Sequence, residues 1–288
     1  LCASTPPSPP EPLSAFSVTS DGAALSGEEG GAGAPIVLLH GLTATRRYVV
    51  MGSRALERSG HRVVSYDARG HGRSSPAPSS EAYGYEHLAA DLEAVLDELG
   101  IARAVLAGAS MGAHTALRLA LLRPERVAAL GLITPSFDPS QGRTPEEFAR
   151  WDALAQGLRR GGVEGFVRAY DLQEVPQAWR ETVGTVLRQR LSAHEHPDAV
   201  ADALEVVPRS RPFGDMDELS RIAVPTTVVA SRDEADPGHP LEVGERYARA
   251  IPHARLIVED AGPPPRSPIA WQGGQLSKVL AELAALAL

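Results

Sequence analysis

The run AVLAGASMGAHTALRLALL, residues 104–122, decides the fold. Its opening residues are apolar or small with no polar alternation, the mark of a strand buried on both faces, and its second half carries apolar residues at helical spacing. Between the two stands Gly108-Ala109-Ser110-Met111-Gly112, a G-x-S-x-G. A strand that turns this sharply into a helix needs small residues beside the turn, and it pushes the central serine out at the sheet's edge. Ser110 is therefore expected in a strained, positive-φ conformation as a nucleophile, with the Met111 N–H at the helix start free to receive an oxyanion.

Outward from this run, strands and helices alternate. AFSVTS and AALSG read as a short antiparallel pair, and APIVLLHG (34–41) and HRVVSYD (61–67) as buried strands joined through a helical stretch, MGSRALERSG. YEHLAADLEAVLDELG (85–100) has the apolar spacing of an amphipathic helix and stops at Gly100, and VAALGLITP is the next strand. The alternation halts near Pro139 and resumes with VPTTVVAS (224–231), helix PLEVGERYARAI, strand ARLIVED and a closing helix, LSKVLAELAALAL. Between lie only helical patterns. The expectation is an α/β protein with one mostly parallel, eight-stranded sheet, helices on both faces, and a helical cap at 140–219 inserted between core segments 15–139 and 220–288.

Composition narrows the function. The net charge is −8 and the pI about 5.6, with no basic stripe, so neither nucleic acid nor an anionic membrane is an expected partner. No apolar run approaches the roughly 20 residues of a spanning helix. The single cysteine, Cys2, allows no intrachain disulfide and no multi-cysteine metal site. These features favour a reducing, cytoplasmic setting. Residues 1–14, rich in Pro and Ser, read as a solvated tail, with the remnant of an exported or lipid-anchored precursor as the minor alternative.

Two further motifs complete a pattern: His40-Gly41 in LLHGLTAT at the end of the first parallel strand, and YDARGHGRSS (66–75) after the second. With the G-x-S-x-G in this order, the sequence resembles the α/β-hydrolase fold family, in particular its bacterial esterase, lactonase and haloperoxidase-like members with a helical cap. The resemblance implies a serine hydrolase of a small carboxylic ester, lactone or related acyl compound. It makes Leu42 the second oxyanion donor beside Met111, gives His40 and His71 structural roles, and requires no cofactor or metal. The other reading is a non-catalytic binding protein on the same fold that has lost its general base.

That alternative arises because the family's base is absent. The family pattern ends its last strand in Ala-Gly-His, whereas this chain has Ala261-Gly262-Pro263, and no histidine follows His253. The acid comes from VVASRDEADPGHP (228–240), which offers Asp233, Glu234 and Asp236. Asp236 stands four residues before the helix-opening Pro240, as in the family, with Asp233 and the more distant Asp138 as alternatives. For the base, His61 and His253 precede strands, His87 lies on an amphipathic helix, and His114 sits on a helix leading away from the serine. His239, three residues after Asp236, is the expected base, with His194 and His196 of the cap as alternatives. The pair HEHPD also fits zinc in residue type, but no third ligand is indicated, so no metal is expected. Arg209 and Arg211 read as solvated charge rather than as a dock for a substrate carboxylate.

Overall fold

The computed structural model describes residues 12–232, 236–260 and 267–287. The strands are β1 (Ser14–Ser20), β2 (Ala23–Gly30), β3 (Pro35–Leu39), β4 (Arg62–Tyr66), β5 (Ala104–Ala109), β6 (Val127–Ile133), β7 (Thr226–Val229) and β8 (Arg255–Ile257). The helices are α1 (Ala55–Arg58), α2 (Tyr85–Glu98), α3 (Met111–Leu122), α4 (Pro145–Ala169), α5 (Arg180–Leu191), α6 (Pro197–Val206), α7 (Leu241–Ala250) and α8 (Gly273–Ala285). The eight strands form one sheet in the order β1-β2-β4-β3-β5-β6-β7-β8, antiparallel from β1 to β4 and parallel from there on.

The two-residue period of a strand divides the core into two layers. Val37, Leu39, Leu106, Leu130 and Leu132 face α2, α3 and α7, where they meet Leu92, Leu96, Leu117 and Tyr247. Their neighbours Ile36, Leu38, Val105, Ala129 and Ile133 face the opposite way, onto Leu56 of α1 and Leu276, Leu280 and Leu283 of α8. Both faces are thus buried, which is why these strands lack polar alternation.

The chain leaves β3 for β4 on one side, then returns across β3 to β5 on the other. The crevice above the carboxyl ends of β3 and β5 is consequently the switch point of the sheet, where ligands of open α/β sheets bind. Leu42 follows β3 and Ser110 follows β5, so the topology alone brings them together.

Helices α4, α5 and α6 stand over this edge. A capping box starts α4: the Thr144 hydroxyl accepts from Glu147 N–H, and the Glu147 carboxylate accepts from Thr144 N–H. The helix runs beyond the expected end of PEEFARWDALAQGLRR, to Ala169, across a break at Gly162 (φ 56°). The three helices share an apolar cluster of Leu158, Phe166, Leu187 and Leu204, against which Leu42 packs. Ala199 and Ala203 of α6 pack with Met111 and Ala68 of the core. In contrast, MGSRALERSG yields only the single turn α1, because Met51, Gly52 and Gly60 all adopt positive φ. Among the described residues no helix is long and apolar enough to cross a membrane.

Candidate active site

Ser110 caps α3 at φ 50° and ψ −112°, a conformation that L-residues avoid and that costs about 1–3 kcal/mol. The flanking glycines are required by contact. A Cβ on Gly108 would lie 2.2 Å from the backbone of Gly112, and one on Gly112 would lie 2.2 Å from Leu39 O. Strand β5 can therefore turn into α3 against β3 only with glycine at both places. The turn is held by Ser110 N–H donating to Ile133 O (2.9 Å) and His114 N–H donating to Ser110 O (3.1 Å).

The loop after β3 passes directly beside this serine, since a Cβ built on Gly41 would come within 3.6 Å of Ser110 Cβ. Among the described residues no backbone acceptor takes the Leu42 N–H, and the Met111 N–H, first in its helix, has no intrahelical partner. Two histidines fix the loop. His40 donates from Nδ1 to Gly41 O (2.8 Å) and accepts at Nε2 from Ala68 N–H (2.9 Å). His71 places Nε2 2.5 Å from Leu42 O and Nδ1 2.9 Å from Arg69 O. Burial holds His40 down to about 3, with the neighbouring His71 adding to the effect, and burial lowers His71 as well. The His40 ring is thus a neutral strut, and His71 braces the Leu42 and Arg69 carbonyls.

The remaining groups come from the segment between β7 and α7. Asp236-Pro237-Gly238-His239 forms a turn closed by His239 N–H donating to Asp236 O (3.1 Å), with Pro237 in the position where its fixed φ suits a turn. The turn aims His239 back over the sheet edge, and Ser110 Oγ–H donates to its Nε2 at 2.8 Å. On the other side of the ring, Nδ1 lies 2.8 Å from Asp236 Oδ2. That approach has ion-pair distance but is off the line of an Nδ1–H···O hydrogen bond, the consequence of placing both side chains in one short turn. Burial disfavours the His239 charge, but the adjacent Asp236 carboxylate outweighs it and raises the imidazole above its ordinary value. Burial likewise disfavours charge on Asp236, and His239 and then Arg190 reverse this, so its pKa falls below the usual range.

The other candidates are placed elsewhere or fall outside the described residues, as do Asp233, Glu234 and Pro263. Asp138 is taken by Arg246 of α7 and by Ser140. His194 accepts at Nδ1 from Gly72 N–H (2.8 Å) and faces Thr43 O with Nε2 (3.3 Å), joining the helical insertion to two core loops. His196 begins α6. His114 is buried against Tyr85 Oη (3.0 Å) and accepts from Ser136 and Phe137 N–H, and burial holds it neutral at about 3. Arg209 pairs with Asp152 and Arg211 bonds Gly214 O, both at the surface. Among the described residues no group of His, Cys, Asp and Glu is arranged to hold a metal.

Sequence reasoning passed over Arg190. It lies in α5 with its Cζ 5.3 Å from the centroid of the Tyr48 ring, and its charge is felt at both Asp236 and His239. In LRQRL it looks like any solvated arginine, and only the packing of α5 over the loop after β3 reveals its position.

Comparison with known proteins gives the same architecture. A family model described as alpha/beta hydrolase fold matches residues 34–264. RutD of Pseudomonas savastanoi pv. phaseolicola, named a carbamate hydrolase, is 32% identical over 228 residues, covering 79% of this chain and 85% of that protein. A thermophilic esterase from Thermogutta terrifontis, solved with malate bound, superimposes with a TM-score of 0.77 at 26% identity, covering 95% of this chain and 99% of that one. Est816, described as an N-acyl homoserine lactone degrading enzyme, gives 0.72 at 26% identity over 94% of this chain and 99% of that one.

Proposed function

The chain belongs to the α/β-hydrolase fold family and is a hydrolase of small acyl compounds, and from that premise we propose that it cleaves a carboxylic ester, lactone or related acyl group through an acyl-enzyme on Ser110. Carbamates, esters and lactones, the compounds in the names of its relatives, share an acyl carbonyl bonded to a heteroatom leaving group. One serine mechanism serves all three.

In this mechanism His239 Nε2 takes the Ser110 hydroxyl proton as Oγ attacks the carbonyl carbon. The negative charge moving onto the carbonyl oxygen is met by the N–H groups of Leu42 and Met111. Collapse of the tetrahedral species breaks the bond to the leaving group, which takes the proton from His239 Nε2. Water then enters, gives its proton to the same nitrogen, and releases the acid with Ser110 restored. Asp236 holds the ring with Nδ1–H inward and stabilises the imidazolium formed in each half.

The observation that carries this reading is the 2.8 Å contact between His239 Nε2 and Ser110 Oγ on a strained elbow. It supports a base supplied by the residue three places after the acid, in a sequence that has Pro263 where the family pattern has histidine. Acid-quenching the enzyme during turnover of a short-chain activated ester tests it. The expected product is protein heavier by one acyl group, mapped to the Ser110 peptide and absent in Ser110→Ala. Acylation at another residue, or none during sustained turnover, contradicts the mechanism.

A further inference from the structure

Several arginines of the helical insertion are matched by acids. Arg150, Arg159, Arg188 and Arg209 each pair with a carboxylate on the insertion's surface. Arg190 is different. Its Nε is buried without a hydrogen-bond partner, and no ion pair joins its guanidinium to a described carboxylate. Among the described residues its guanidinium lies over the face of Tyr48, a cation–π arrangement that leaves Nε without a hydrogen bond. Removing a charge from water without an anion is costly, and buried cations are ordinarily paired.

The surroundings say what kind of partner fits. Tyr48 follows the oxyanion loop, and Tyr170 at the end of α4 also feels the Arg190 charge. Leu42, Tyr170 and Trp179 belong to the apolar cluster beneath the insertion, and Trp271 meets Trp179 edge-on with centroids 5.7 Å apart. Apolar and aromatic side chains thus gather around Leu42, whose loop passes beside Ser110, and Arg190, paired with no described carboxylate, is close enough to Asp236 and His239 for its charge to act on both. Toward His239 that guanidinium is repulsive: it opposes the positive ring that catalysis must form. An anion on Arg190 would remove this opposition as well as the desolvation cost.

We propose that Arg190 is the anion subsite of the acyl pocket, and that the substrate's acyl chain ends in a carboxylate that docks on its guanidinium while the scissile carbonyl lies at Ser110. The inference rests on the acyl-enzyme reading given above. A planar fork of N–H donors matches a carboxylate in a way that a lysine would not.

Mono-4-nitrophenyl esters of succinate, glutarate and adipate, set against the chain-matched neutral monoacid esters, supply the test. The native enzyme is expected to favour at least one diacid ester in kcat/KM, and Arg190→Gln to lower that preference about 10- to 100-fold, the worth of a charge-assisted hydrogen-bonded pair. Arg190→Lys should keep part of it. The free diacid of the preferred length should slow fluorophosphonate labelling of Ser110 in the native enzyme, a readout that needs no variant. Equal kcat/KM for charged and neutral esters together with no protection by any diacid overturns the subsite while leaving the acyl-enzyme intact. Failure of Ser110 to take the label, with no ester turned over, removes both.

Discussion

The side of the site built on β3 and β5 and the side built on the turn before α7 are made by different means. On the first, the proposed acting groups are backbone N–H donors and a serine held by its own strained backbone. Their positions follow from glycines that admit no Cβ and from two buried histidines bonded to main-chain atoms. On the second, the proposed acid and base, Asp236 and His239, are two side chains of one four-residue turn. The first side is fixed by close packing and tolerates no change of shape. The second depends on one side-chain contact, that of the His239 imidazole with Ser110 Oγ.

If the two sides form one catalytic unit, disabling either should have the same large effect. Ser110→Ala and His239→Ala are each expected to lower kcat by about 10⁴-fold or more and to leave similar residual rates, because members of such a unit are not additive. The double variant should be no slower than either. Steady-state ester hydrolysis measures this, and an active His239→Ala enzyme would separate the two sides.

Asp236→Asn probes within the turn. Its loss should be about 10- to 100-fold smaller than that of His239→Ala. The base acts in its neutral form, so kcat/KM rises as pH rises through the His239 pKa, and the raised value puts that limb above the ordinary imidazole range. Removing the carboxylate that raises it moves the limb to lower pH. A pH profile that does not move would mean that Asp236 has no hold on the base.

How much of this was legible in the sequence follows the same division. G-x-S-x-G and His-Gly could be read because backbone geometry demands particular residues at particular places, and the buried strands because burial on both faces removes polar alternation. The placement of Asp236 and His239 beside Ser110 was legible through their separation and the lack of a later histidine, although the oblique Nδ1 contact could not be foreseen. Arg190 could not be found at all, because its isolation depends on how α5 lies over Tyr48. The short β8, with Leu256 exposed, shows the weaker signal of an edge strand.

Stability should divide likewise. Gly112→Ala drives a Cβ to 2.2 Å from Leu39 O at the centre of the sheet, and a loss of about 3 kcal/mol is expected because neither backbone can yield cheaply. Denaturant unfolding measures it, and a neutral result would mean that the elbow is not closely packed. The smallest effect belongs to His194→Ala, which leaves Gly72 N–H without its acceptor and loosens the insertion from the core by about 1 kcal/mol. Faster amide exchange at Gly72 would accompany it.

The central claim is that His239, from the turn that also supplies the acid, activates Ser110. The rate at which a fluorophosphonate modifies Ser110 tests this without any knowledge of the substrate. The expected result is stoichiometric labelling of native enzyme at Ser110, with a rate that climbs with pH through the His239 titration, and labelling of folded His239→Ala slowed to the background of an ordinary serine. Labelling of that variant at the native rate would contradict the account and place the base elsewhere.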